Sequence, residues 1–190
     1  MISFLAERIG ATLRHFGKSR DGASAIEFAF LLPLMLLLLA GLVDLGQGLT
    51  VRRKINQIAS TTSEIIAMQG NWSDASTASI LAGVRSILDP YDSSELKVLL
   101  CVVDIDKKGK ETVAWSAVYG TAKIAAGQVS PVEIPDELQE ENVQMVVTHV
   151  QYRLDTIFSS LFESFTGGGA YEFDQHFFIR PRNGSTISFN

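Results

Sequence analysis

The chain has 190 residues, a formal net charge of −5 at pH 7 and a single cysteine, Cys101. The negative charge argues against a nucleic-acid-binding protein, and one cysteine excludes an intramolecular disulfide framework. Once an N-terminal leader, an apolar segment and the helix that continues it, residues 1–70 together, are set aside, about 120 residues remain, enough for one compact domain but not for two.

Residues 1–22 form a basic leader. The positive-inside rule places such a segment in the cytoplasm. The triplet Arg52-Arg53-Lys54 lies on the other side of the apolar segment. The numbers of Lys and Arg residues on the two sides are therefore nearly equal, and charge alone leaves the orientation open. The ionisable residues of the leader, His15 aside, are Glu7, Arg8, Arg14, Lys18, Arg20 and Asp21.

Residues 23–43 are predicted to be a transmembrane helix. Residues 28–43 are sixteen consecutive nonpolar residues, and a spanning helix needs about 20 predominantly apolar residues. Pro33 removes one backbone donor and predicts a kink, which a membrane bundle tolerates. An ordinary secretory signal is disfavoured, because the apolar run exceeds the usual length and Gly46-Gln47-Gly48, a small-x-small site, lies beyond Asp44.

Glu27 is the anomaly of this segment, because a carboxylate within a membrane span is disfavoured and marks a functional site by default. Two interpretations stay open. A proteolytic cut after Gly22 would free an amine on Ala23, one turn from Glu27, which could pair with the carboxylate of a neighbouring subunit. Alternatively, an uncut signal-anchor helix holds Glu27 at the level of the lipid headgroups, where the helix dipole stabilises it.

Gly22, Ala23, Glu27 and Phe28 resemble the G/AxxxEF/Y processing site of Flp-type prepilins. The longer stretch 21–64 resembles the opening of the TadE/TadG-like proteins of the tight-adherence (Tad) pilus system. It has their G-x-x-A-x-E-F-A-hydrophobic-P pattern and a following D-x-G. Residues 146–182 are similar to the close of that family and end in Arg180-Pro181-Arg182. Residues 71–142 carry no assignable motif.

The resemblance implies a minor pilin or pseudopilin required for assembly of a Tad-type pilus. A prepilin peptidase would cleave between Gly22 and Ala23, and Glu27 and Phe28 would act in subunit assembly. The protein would cross the bacterial inner membrane once, with a cytoplasmic N-terminus and a periplasmic C-terminal domain, and could enter the pilus. Its partners would be the peptidase, other pilin subunits, the Tad secretion platform and membrane lipid, without nucleic acid or a small-molecule substrate. The alternative is an unprocessed, membrane-anchored scaffold or adaptor of the pilus machinery.

The predicted fold class is α+β, with the membrane-spanning helix continuing onto a small antiparallel sheet domain, as in type IV pilins. Residues 44–70 continue the helix, because apolar residues recur there at three- and four-residue steps, and Gly70 ends it. Residues 71–190 form the extracytoplasmic domain. Its predicted elements are a helix capped by Ser73 or Asp74, strands at 96–105, 112–119, 143–154 and 171–179, and an apolar helix or connector at 156–165.

No pattern in the chain indicates catalysis, a cofactor or a metal site. The motifs HExxH, CxxC, GxSxG and the P-loop are absent from the sequence, and the protein is not expected to be an enzyme. His15, His149 and His176 have no carboxylate or thiol at a ligand spacing in the sequence. Cys101 is interpreted as a buried small hydrophobic residue in a strand, and Asp104 and Asp106 as part of a solvated hairpin tip.

Overall fold

A computed structural model describes residues 21–156, 159, 170–182 and 186–190. Most of the predicted leader and most of the predicted connector at 156–165 lie outside these residues. The chain divides into two compact units, Met1–Leu45 and Gly46–Asn190; the domain limits predicted from the sequence stay predictions. The elements are α1 (Asp21–Met68), β1 (Asn71–Trp72), α2 (Asp74–Arg85), β2 (Lys97–Ile105), β3 (Glu111–Tyr119), β4 (Val143–Asp155), β5 (Ala170–Ile179) and β6 (Ser188–Phe189), with 3₁₀ turns at Ser86–Leu88 and Asp136–Leu138.

The α+β prediction is confirmed: a long N-terminal apolar helix precedes a small antiparallel sheet. The likeness to type IV pilins stays a prediction. The sheet has the strand order β3-β2-β4-β5, and every neighbouring pair is antiparallel. The four strand spans read from the alternation and β-branched content of the sequence are correct to within one residue at each end.

The C-terminal part of α1, in the second unit, packs against one face of the sheet. Its apolar residues recur every three or four positions and therefore share one side of the helix. They meet Val98, Leu100 and Val102 of β2 and Val146 and Val150 of β4 in a common core. This confirms the predicted continuation of the helix. The residues of α1 in this core are Val51, Ile55, Ile58, Ala59, Ile66 and Ala67.

The other face of the sheet carries a second, smaller core over part of its area. Cys101 of β2 and Met145 of β4 are buried there beneath Val132 and Ile134 of the segment between β3 and β4. This segment has no strand of its own, and Thr112 of β3 forms an isolated bridge with it. The part of this face over β4 and β5 also carries the polar and histidine side chains discussed below.

Of the two predicted caps, Ser73 and Asp74, it is Ser73 that starts α2. Its Oγ accepts a hydrogen bond from the backbone N–H of Ser76, whose own Oγ accepts one from the Ser73 N–H, so the two residues form a capping box. Lys54 of α1 reaches the end of the following 3₁₀ turn, where its Nζ donates to the carbonyl oxygens of Ile87 and Asp89, both at 2.8 Å. The lysine therefore ties the long helix to α2.

A parallel pair of two-residue strands, β1 and β6, was not predicted. It brings the C-terminal residues against the end of α1. The indole Nε1 of Trp115 donates to the carbonyl oxygen of Ile187 at 3.2 Å, and the Trp115 and Phe189 rings lie 4.8 Å apart. Strands this short carry no periodicity that a sequence pattern can reveal.

Two neighbouring polar residues of α1 are fully buried against β4. The Ser63 Oγ donates to the Thr148 Oγ1 at 2.6 Å. The Thr62 Oγ1 has no hydrogen-bond partner among the described residues. An unsatisfied buried hydroxyl costs free energy that a satisfied one does not.

Gly120 ends β3 with a positive φ of 67°. A Cβ at this position would overlap the carbonyl oxygen of Leu96. Gly127 also has a positive φ, 83°, but a Cβ there would have nothing within 4 Å. Both positions favour glycine through the backbone conformation, and only Gly120 also requires it for space.

Candidate functional site

The N-terminal unit presents an apolar helix surface. In the described part of the chain, one helix is long and apolar enough to cross a membrane, and only 6% of its most apolar window is buried. A continuous exposed surface of this kind is stable in hydrocarbon rather than in water. The segment is thus consistent with single-pass membrane anchoring. Its most exposed large side chains are Ile26, Phe30, Met35, Leu38 and Leu42.

The predicted cleavage bond between Gly22 and Ala23 lies at the described N-terminal end of α1. Gly22 is exposed, and a Cβ on it would meet nothing within 4 Å. A larger residue at position 22 would therefore not disturb the packing of the residues that the structure describes. Cleavage itself stays a prediction.

Glu27 and Phe28 follow one turn after this bond. Both side chains are exposed, Phe28 at 58%. Glu27 is the only ionisable residue of residues 24–43. In a helix, residues four apart lie on the same face, so the backbone places Ala23 and Glu27 one above the other. Pro33 lies inside α1. The roles assigned to these residues stay predictions.

Cys101 is buried in β2, as predicted. Burial raises the pKa of its thiol to about 12, so the thiolate needed for nucleophilic or redox chemistry is scarce near neutral pH.

The predicted hairpin tip is also present between β2 and β3. The Asp106 carboxylate accepts hydrogen bonds from the backbone N–H groups of Lys110 and Lys108, which lower its pKa. The Asp106 carboxylate is therefore used in hydrogen bonds within the turn itself.

In the sequence, no carboxylate was recognised at a ligand spacing from any histidine, but the structure brings one carboxylate to two of the three. Asp174 lies between His149 and His176 on β4 and β5. The sequence contains one signal of this arrangement, the Asp-x-His spacing of residues 174 and 176, which puts both side chains on the same face of a strand. The contribution of His149 depends on strand register, which the sequence did not supply. His15 lies outside the described residues.

Comparison with known proteins identifies the N-terminal segment. Residues 22–63 match the model of the family described as TadE-like protein. This match confirms the resemblance found in the sequence. It covers the apolar part of α1 and most of the part that packs on the sheet. No curated protein and no solved structure matches the chain.

Proposed function

We propose that this protein is a minor pilin or pseudopilin that acts in the assembly of a Tad-type pilus. Association of the protein with the Tad pilus follows from its TadE-like segment, and that family is structural rather than enzymatic. The observation that carries the proposal is the coincidence of the family match with the exposed apolar helix containing Glu27. The protein acts by insertion and assembly, not by chemistry on a substrate.

In this proposal α1 crosses the bacterial inner membrane with its N-terminus in the cytoplasm, and the sheet domain lies outside. A prepilin peptidase removes the leader by cutting between Gly22 and Ala23. The exposed position of Gly22 and the free space around it support access to this bond. The new amine on Ala23 then lies one helical turn from Glu27.

The cut creates the charge that Glu27 needs in a bundle of pilin helices. The amine of one subunit pairs with the Glu27 carboxylate of its neighbour, shifted along the filament axis, and Phe28 contributes an exposed aromatic face to the same contact. Leaving one member of a buried ion pair without its partner costs about 3 to 5 kcal/mol. At about 1.4 kcal/mol per tenfold, such a loss would reduce incorporation by at least two orders of magnitude.

N-terminal sequencing of protein recovered from membranes tests the processing step. The mature chain is expected to begin at Ala23 in cells that contain the peptidase. Gly22→Leu is expected to leave a full-length precursor, because the peptidase subsite must accept the residue before the cut. Gly41→Leu is the matched control, since a Cβ at Gly41 also meets nothing within 4 Å, and it should be processed normally. Recovery of intact Met1, or of a start near Leu49, would contradict the proposal.

Glu27→Gln tests the assembly step, because it preserves shape and removes the charge. The variant is expected to be inserted, processed and normally abundant, yet unable to support piliation or to crosslink to neighbouring subunits. Glu64→Gln, which removes a carboxylate from the part of α1 within the sheet domain, is the control and should assemble normally. Normal piliation by processed Glu27→Gln would reject the paired-charge mechanism. An intact leader together with retained pilus assembly would instead favour the alternative of an unprocessed scaffold or adaptor.

A further inference from the structure

Two histidines lie opposite each other on the face of the sheet that points away from α1. His149 of β4 and His176 of β5 are direct partners in the antiparallel register, and their ring centroids are 4.2 Å apart. His149 alternates with Thr148 and Val150, which contact α1 or join the core beneath it. Since successive strand residues point to opposite faces, the histidine pair faces outward.

Asp174 completes the cluster from the same face of β5. One of its oxygens, Oδ1, lies 2.8 Å from the Nε2 of His149 and 3.1 Å from the Nε2 of His176. The other, Oδ2, accepts a hydrogen bond from the Gln151 Nε2 at 2.9 Å. The carboxylate is therefore held in place by the amide of the residue directly opposite it in the sheet.

We propose that His149, Asp174 and His176 form a binding site for a divalent transition metal ion, with Zn²⁺ as the natural candidate. The site is independent of the function proposed above. Two imidazole nitrogens and one carboxylate oxygen are a common ligand set for Zn²⁺ and other divalent first-row transition metal ions, whereas Mg²⁺ and Ca²⁺ prefer oxygen ligands alone.

Two of the three distances between ligand atoms already suit a bound metal ion, and the two histidine nitrogens would have to move closer together. Zn–N and Zn–O bonds of about 2.0 to 2.1 Å at tetrahedral or right angles put two ligand atoms about 2.9 to 3.4 Å apart. Of the two Nε2 to Oδ1 distances, 3.1 Å lies within this range and 2.8 Å lies just below it. All three ligand atoms lie within 4.8 Å of one another. A metal ion would replace the hydrogen bond between His149 and the carboxylate and the close approach of His176 to the same oxygen.

Two residues of the cluster have shifted pKa values. Burial and the charge of His149 lower the pKa of His176, while Asp174 acts in the opposite direction. Burial opposes ionisation of Asp174, but hydrogen bonds from Gln151 and His149 and the charges of protonated histidines lower the pKa of this carboxyl.

The cluster is also accessible to solvent, since the side chains of His149, Asp174 and His176 are 19%, 52% and 39% exposed. Three protein ligands leave at least one coordination position open. That position is available to water or to a side chain from another protein. The site thus resembles open metal sites more than the closed four-ligand sites that hold small domains together.

Metal binding by the full-length protein tests the proposal; it is expressed without the prepilin peptidase, so that the leader is kept, and purified in detergent without a histidine tag. Addition of Co²⁺ should produce visible absorption bands of a nitrogen- and oxygen-ligated ion, and Zn²⁺ should abolish them at one ion per chain. Competition with a chromophoric chelator then gives the Zn²⁺ affinity. Loss of a hydrogen bond that supports a metal ligand costs about 10- to 100-fold in metal affinity. His176→Gln and Asp174→Asn each remove a ligand itself, so each should weaken the Zn²⁺ affinity by at least as much. Gln151→Leu, which removes such a hydrogen bond, should weaken it within that range.

Two control variants separate this site from general effects. His15→Gln removes the histidine of the leader, and Asp155→Asn removes an exposed carboxylate of β4 whose partner is Arg153. Both should bind Zn²⁺ like the unmodified protein. Unchanged circular dichroism would show that the cluster variants are folded. The proposal would be overturned if the unmodified protein bound no Zn²⁺, if folded His176→Gln bound it equally well, or if His15→Gln lost binding to the same extent.

Discussion

Thr62 offers a test of the helix-sheet packing in which removal of a polar group should stabilise the protein. Its hydroxyl is fully buried and has no partner among the described residues, a state that costs about 1 to 3 kcal/mol. Valine has nearly the same shape and helix propensity. We therefore expect Thr62→Val to raise the free energy of unfolding by about 1 to 2 kcal/mol, within the range of that cost.

The neighbouring residue should respond in the opposite direction. Ser63→Ala removes the donor to Thr148 and leaves a buried hydroxyl unpaired, so it should cost about 1 to 3 kcal/mol. Both changes can be measured in a fragment of residues 46–190, called the domain fragment, which is the second compact unit. Urea denaturation followed by tryptophan fluorescence is suitable, because Trp72 and Trp115 are both buried.

Thermal melting gives an independent value, because a change of 1 kcal/mol shifts the melting temperature of a chain this size by about 2 to 4 °C. Thr62→Val should therefore melt a few degrees higher than the domain fragment, and Ser63→Ala a few degrees lower. A destabilised Thr62→Val would show that the threonine hydroxyl makes a hydrogen bond in solution, and the packing argument would fail. Equal effects of the two substitutions would refute it as well.

Three further changes test other parts of the domain by the same denaturation measurement. A fragment of residues 71–190 loses four fully buried aliphatic side chains of α1, each worth about 1.5 to 3 kcal/mol, and should not fold; native-like circular dichroism would contradict this. Gly120→Ala should cost about 2 kcal/mol more than Gly127→Ala, because both are strained by a positive φ but only the first also overlaps a neighbouring carbonyl. Lys54→Met should cost about 1 to 2 kcal/mol through two lost hydrogen bonds, whereas Arg53→Met, at an exposed position, should change little.

Local patterns in the sequence predicted most of the fold correctly. The face of α1 that packs on the sheet follows from the spacing of Val51, Ile55 and Ile58, since a 3.6-residue repeat turns sequence spacing directly into a shared face. The start of α2 follows from Ser73, because a side-chain cap acts within three residues. The strand order β3-β2-β4-β5 did not follow, since hairpins fix only neighbours in sequence.

Features that depend on long-range pairing were not predicted. The β1–β6 pair joins residues 71–72 to residues 188–189, and two-residue strands carry too little pattern to be recognised. The cluster of His149, Asp174 and His176 depends on the β4–β5 register, which one residue of slip would destroy by turning one strand's side chains to the other face. The N-terminal segment was recognised because its motif is contiguous in the chain.

The buried thiol of Cys101 makes this protein a convenient subject for cysteine mapping. It is the only sulfhydryl in the sequence, and its environment within β2 keeps it protonated and shielded. A single cysteine introduced at an exposed position, such as Asn56 or Ala75, would then be the sole target of a membrane-impermeant maleimide. The side of the membrane on which the sheet domain lies can therefore be read in intact cells without first replacing the native residue.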